Sequence, residues 1–137
     1  MTHNGLINNP FGFSIDLTNI SGTSSNVLTG NTSNVILHGS QGNLTQLDFS
    51  NGATLTLNNS VNASVQGFIW QSGSSQSSTS AISASSTYWT GRVYVVTDSS
   101  PMDDGSGATG NTLYIGWSLY CHTQLFMNAS MWLAKVQ

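Results

Sequence analysis

Apolar residues recur at every second position through most of this chain, and that period constrains the fold more than any other feature. Phe11, Phe13, Ile15 and Leu17 alternate with Gly12, Ser14, Asp16 and Thr18. Leu47 and Phe49 alternate with Gln46, Asp48 and Ser50, and Leu55 and Leu57 with Thr54, Thr56 and Asn58. Leu113, Ile115, Trp117, Leu119 and Cys121 alternate with Tyr114, Gly116, Ser118, Tyr120 and His122. Successive side chains of a strand point to opposite faces, so each run predicts a strand with one face on a core. On this register Leu119 faces inward, Ser118 faces out, and Cys121 is a buried, inert thiol on the Trp117 face. Val93 to Val96 is apolar on both faces and predicts a central strand. No helical stripe with caps stands out, and Leu125 to Val136 reads as a strand with Leu125, Met127, Met131 and Leu133 inward. Turn residues separate the runs at Gly39-Ser40-Gln41-Gly42, Asn51-Gly52, Asn58-Asn59 and the Asp98–Asn111 loop. The inward register changes at Gly67, ahead of Phe68, Ile69 and Trp70, which predicts a bulge. The Ser-rich stretch Ser72 to Thr87 reads as a long exposed loop leading into a strand near Tyr88. The expectation is an all-β fold: one domain over residues 1–137, an antiparallel β-sandwich or jelly roll of about nine or ten strands.

Charge then narrows the function. The 137 residues hold only two Lys or Arg and five Asp or Glu, all five of them Asp, whereas hydrophobic residues make up 38%. The apolar share suffices for a core. Ser, Thr, Asn, Gln and Gly keep the surface wet, and such a surface repels copies of itself weakly. Two cations are too few for phosphate contacts, which argues against direct binding of nucleic acid or of anionic membranes. No apolar run has the ~18–20 residues that insertion into a membrane needs. Met1 to Pro10 has neither a basic residue nor an apolar core, so it does not read as a secretory signal. A cytoplasmic location is expected on that ground.

Few residues carry chemistry. His3, His38 and His122 show no zinc spacing, and no G-x-S-x-G elbow is present, so the chain is not expected to be an enzyme. Gly105, Gly107 and Gly110 form a G-x-G-x-x-G, but a strand pattern follows it where a dinucleotide site needs a helix. Asn19, Asn31 and Asn43 begin Asn-x-Ser/Thr triplets at a spacing of twelve. The apolar positions do not keep that phase, as a solenoid would require. Asp98, Asp103 and Asp104 lie in one loop and are the candidate ligands for a Ca2+ ion, although the spacing is not that of an EF-hand. Among Trp70, Trp89, Trp117 and Trp132, the best placed for exposure is Trp89. With Tyr88, and with Asn111 to supply hydrogen bonds, it is the candidate ligand-binding set for stacking on a sugar ring.

The run Gly110-Asn111-Thr112-Leu113-Tyr114-Ile115-Gly116-Trp117-Ser118-Leu119 resembles an end strand in jelly-roll coat proteins of small icosahedral RNA viruses, tombus-like and noda-like. Thr90-Gly91-Arg92-Val93-Tyr94-Val95-Val96 looks like the penultimate strand of the same kind. The resemblance covers about thirty residues and implies a capsid or projecting-domain subunit at the virion surface, self-assembling into a homo-oligomer and touching a host receptor. Those coats carry an Arg/Lys-rich arm for RNA, and none is present here, which implies a subunit that does not hold the genome. The rival expectation is a carbohydrate-binding lectin, or a phage tail-fibre tip, on a similar sandwich. An exposed aromatic beside Asn or Asp favours the lectin; a large apolar self-patch favours the assembly protein.

Overall fold

The computed structural model describes residues 9–107, 109 and 114–136. These residues form nine strands: β1 (Phe13–Ile15), β2 (Ile20–Ser24), β3 (His38–Gly39), β4 (Gly42–Asn43), β5 (Leu47–Gly52), β6 (Leu55–Leu57), β7 (Gln66–Trp70), β8 (Ala81–Tyr88) and β9 (Gly91–Val96). A 3-10 turn, Ser100–Met102, and one helix, α1 (His122–Ala134), follow. All strand pairs are antiparallel. The main sheet runs β1-β6-β8-β7, with β9 also on β8; β2 pairs β5, and β3 pairs β4. The protein is therefore mostly strand, with one helix.

Alternation places much of the core correctly. Leu47, Phe49, Leu55 and Leu57 are buried while Asp48, Ser50 and Thr56 between them are half-buried. Gly39 and Gly42 close the β3–β4 hairpin as the turn signal requires. The bulge expected after Gly67 is present: the β7–β8 register shifts between Gly67 and Ile69 and again before Trp70. A Cβ at Gly67 would lie 2.6 Å from Trp70 Cζ2, so the glycine makes room for the indole.

The Ser-rich stretch is not one long loop. Only its first part is loop; Ala81–Tyr88 is the centre of the sheet, and Ala81 to Ser86 are all buried. Ala81 pairs with Trp70 on one edge and Leu55 on the other, and Ser83 with Ile69 and Val96. So β7 takes one edge of β8, and β6 and β9 share the other. Small side chains suit a strand hemmed in on both edges and covered by Phe68, Trp70 and Tyr94. Their hydroxyls also find partners: Ser83 Oγ lies 2.7 Å from Tyr94 Oη. Burial pushes that phenol's pKa well up, which keeps it a neutral partner.

Four further expectations need correction. Ile15 and Leu17 are exposed, because β1 is a three-residue strand paired only with β6 among the described residues. Val93 to Val96 is half-buried rather than central: β9 pairs only with β8 among the described residues, and α1 packs against it. The strand predicted through Thr112 to His122 is reduced, over Tyr114 onward, to one bridge between Ile115 and Asp104 followed by turns; Leu113 lies outside the described residues. Gly116 turns the chain there. A Cβ on it would come within 2.0 Å of the Ser100 carbonyl oxygen, so only glycine allows that approach. Leu119 is 38% exposed and Ile115 63%, so neither faces a core.

The largest correction is α1, in place of the strand expected over Leu125 to Val136. Its buried residues are His122, Leu125, Phe126, Asn128 and Ala129, a stripe at helical spacing. Met127 and Leu133, expected inward, are exposed. Leu125 and Ala129 join the main core with Leu47, Phe49, Phe68 and Ile82. The helix ends in a Schellman arrangement. Lys135 is left-handed at φ 59°, its N–H reaches Trp132 O at 3.1 Å, and Val136 N–H reaches Met131 O at 3.1 Å.

His122 fastens the first turn of α1. Its Nε2 accepts the Asp48 backbone N–H at 2.9 Å, and its Nδ1, 2.7 Å from Gly116 O, donates to that carbonyl. Both bonds are satisfied only by the neutral ring protonated on Nδ1. Burial accordingly lowers its pKa. With the folded pKa below the unfolded value near 6.5, the unfolded chain binds the extra proton first as pH falls. Stability is thus complete above about pH 6.5 and declines below it. The melting temperature should fall between pH 7 and pH 5, ahead of carboxylate titration, and His122→Gln should flatten that slope. An equal slope in the variant would assign it to another group.

Candidate functional site

The β8–β9 hairpin carries the most exposed aromatic on the described surface. Tyr88 pairs with Gly91, leaving Trp89 and Thr90 as a two-residue turn. Trp89 has φ 56°, at the position where a II′ turn normally takes glycine. A bulky residue there is strained. It is also 88% exposed, so no packing compensates. Tyr88, 44% exposed, meets it edge-on with ring centroids 6.3 Å apart, and meets Phe11 edge-on at 5.8 Å.

Polar contacts brace this tip. Asn62 Nδ2 donates to Thr87 O at 2.9 Å and to Pro10 O at 3.0 Å. Thr87 N–H donates to Ser64 Oγ at 2.8 Å. Gly12, at φ +75°, lets the Phe11 segment lie close: a Cβ on it would meet Asn62 Cβ at 2.8 Å. On the other flank Lys135 Nζ donates to Thr90 O at 2.7 Å. The indole is therefore presented from a held backbone, which lowers the entropy lost when a ligand stacks on it. Tyr88 and Trp89 come together as the sequence suggested. Asn111, the third member of that set, lies outside the described residues.

Beside the tip is a cleft of about 340 Å³ whose lining includes Asn31, Asn34, Gln66, Ser85, Thr87 and Trp132. Sequence reasoning missed it, because its walls come from four separated segments. Of its lining residues, only Trp132 stands among the four tryptophans able to stack.

The three loop aspartates have separate surroundings. Asp98 Oδ2 accepts Ser50 N–H at 2.6 Å and its Oδ1 accepts Ser100 N–H at 3.0 Å, tying β5 to the 3-10 turn. Asp103 is half-buried, and its backbone oxygen accepts Gly116 N–H at 2.8 Å and Trp117 N–H at 2.9 Å. Asp104 is exposed and bonds the hydroxyl and the amide of Ser106, which lower its pKa. No group of three or more His, Cys, Asp or Glu among the described residues is gathered closely enough to hold a metal ion. Cys121 is half-buried rather than buried. Burial opposes its ionisation, but the Thr45 hydroxyl, 3.0 Å from Sγ, and nearby backbone contacts outweigh it and lower the thiol pKa.

No family model matches the chain, and no match was found among curated proteins or solved structures.

Proposed function

We propose that this protein is a non-enzymatic recognition domain that binds carbohydrate through the Trp89–Tyr88 tip. One observation carries the reading: an indole 88% exposed, held in a strained turn by a braced hairpin. An aromatic plate needs no charge to bind a sugar, since the C–H face of a pyranose packs on it and hydroxyls and amides bond the rim. That suits a chain with so few ionisable groups. Trp89→Ala should weaken binding at least ~100-fold, the scale of an aromatic hot spot, without lowering the melting temperature. Glycan-array capture followed by calorimetry on the retained glycan measures it. Unchanged affinity in the variant overturns the reading.

A second reading, the self-assembling structural subunit of viral type, is favoured by a different surface. Ile15 and Met102, both exposed, line an apolar groove with Val96 beside β1, and Leu17 next to it is 82% exposed. β1 has no lysine to guard its outer edge. Light scattering on the sample used for calorimetry separates the two: an oligomer lost on Leu17→Lys supports assembly, and a monomer at ~100 μM, well above ordinary micromolar affinities, argues against it.

A further inference from the structure

The polar cleft beside the hairpin has the composition of a binding pocket for a neutral ligand. Its floor is the main sheet. Ser85 pairs with Gln66 on one side and with Tyr94 on the other, so these three share a face. Ser85 is 6% exposed and lines the cleft. Ser86 lines the cleft too, and its hydroxyl is buried and unpartnered, but strand alternation turns that hydroxyl to the opposite face. The hydroxyl that serves the cleft is therefore that of Ser85. A serine hydroxyl there offers a ligand both a donor and an acceptor.

The other walls fit the same chemistry. Gln66 Oε1 receives a long 3.4 Å bond from Asn34 Nδ2, which leaves the Gln66 amide nitrogen available. Asn31 and Thr87 add an amide and a hydroxyl at the rim. Trp132 supplies the flat apolar wall. Arg92, paired with Thr87, lies over that indole, its guanidinium 5.0 Å from the ring centroid and its Nη1 bonded to Trp132 O. None of the lining residues is charged. The chain's net charge of −3 further disfavours an anion. A cleft of about 340 Å³ stands at the lower end of the ~300–1,000 Å³ of small-molecule pockets.

We infer that this cleft is the specificity pocket of the protein and takes one ring of a neutral sugar, bonded by Ser85 and Gln66 and packed on Trp132. The inference rests on the carbohydrate reading of Trp89 and extends it. Thr87 lines the cleft, and Trp89 follows two residues later at the hairpin turn. The ligand class is thus a short neutral oligosaccharide, one ring in the cleft and the next against Trp89.

The test is calorimetry with neutral disaccharides and trisaccharides (maltose, cellobiose, lactose and chitin oligomers), and with a glucuronate-containing disaccharide as the anionic control. Wild type, Ser85→Val, Gln66→Ala and Trp89→Ala are compared, each with its melting temperature. A neutral sugar should bind wild type at least ~10-fold more tightly than the anionic one, and Ser85→Val and Gln66→Ala should each weaken it about tenfold, the scale of one lost hydrogen bond. Should Ser85→Val fail to fold, Gln66→Ala decides. Binding lost in Trp89→Ala but kept in both cleft variants overturns the cleft and leaves the tip standing. Binding lost in the cleft variants but kept in Trp89→Ala upholds the cleft and overturns the tip. No binding of any neutral sugar to wild type at millimolar concentration overturns both.

Discussion

Leu125→Asp should unfold the protein, whereas Leu119→Asp should leave it folded. Leu125 is fully buried on α1, inside the core that Leu47, Phe49, Phe68 and Ile82 form beneath the helix. An unpaired carboxylate there loses its hydration and gains no donor, a cost above about 4 kcal/mol against a typical total stability of ~5–15 kcal/mol. Leu125→Ala, which only leaves a cavity, should cost about 2–5 kcal/mol. Leu119 is 38% exposed, and its contribution to the helix start is a backbone carbonyl that accepts His122 N–H at 3.2 Å. A carboxylate at Leu119 stays in water, so the change should be within about 1 kcal/mol. Urea denaturation of the three variants checks the contrast. Equal loss at Leu119 and Leu125 would return the terminal segment to an inward-facing strand.

The contrast also marks where reading the chain succeeded and where it failed. Alternation located Leu47, Phe49, Leu55 and Leu57 because each sits in a strand with one covered face, the condition alternation reports. It failed on α1 because two of the five buried residues of the helical stripe, His122 and Asn128, are polar. Leu125, Met127, Met131 and Leu133 meanwhile offered a period of two that packing does not use. It failed on β8 for the reverse reason. Ala81 to Ser86 has few large apolar side chains, yet its burial comes from neighbours on both edges and from Phe68, Trp70 and Tyr94 above and below, none of which its own residues announce. The Tyr88–Trp89 tip was readable because it needs only a bulky aromatic beside a turn. The cleft was not, since Asn31, Gln66, Ser85 and Trp132 meet only once the sheet and α1 are in place.

That dependence joins the fold to the proposed site. Trp132 stands in the cleft because α1 is seated on the sheet, and α1 is seated by apolar packing at Leu125 and by polar fastenings at His122 and Asn128. Changes remote from Trp89 should therefore reach the cleft through the position of the helix.

Asn128→Leu is the sharpest test of that fastening. Asn128 is 1% exposed, and among the described residues its side-chain hydrogen bonds all join α1 to the β3–β4 hairpin and the segment before it. Its Oδ1 accepts Gln41 N–H at 3.1 Å, and its Nδ2 donates to Gly42 O at 2.9 Å and to Ile36 O at 3.3 Å. Gly39 is shaped around it, since a Cβ there would lie 2.3 Å from Asn128 Oδ1. Leucine has nearly the same outline but bonds nothing. The Ile36 carbonyl would be left buried without this donor, while Gln41 and Gly42 are exposed enough for water to replace part of what is lost. The expected loss is about 2–3 kcal/mol, two to three times a single net hydrogen bond. Asn128→Asp should behave differently with pH. Its second oxygen would face the Ile36 and Gly42 carbonyls, so the folded state favours the protonated carboxyl and raises its pKa above the unfolded ~3.9. The deficit relative to wild type should then shrink as pH falls from 7 towards 5. Hydrogen exchange at Gln41 N–H gives the local readout. Its protection should vanish in Asn128→Leu before global unfolding, and protection equal to wild type would mean that packing alone seats the helix.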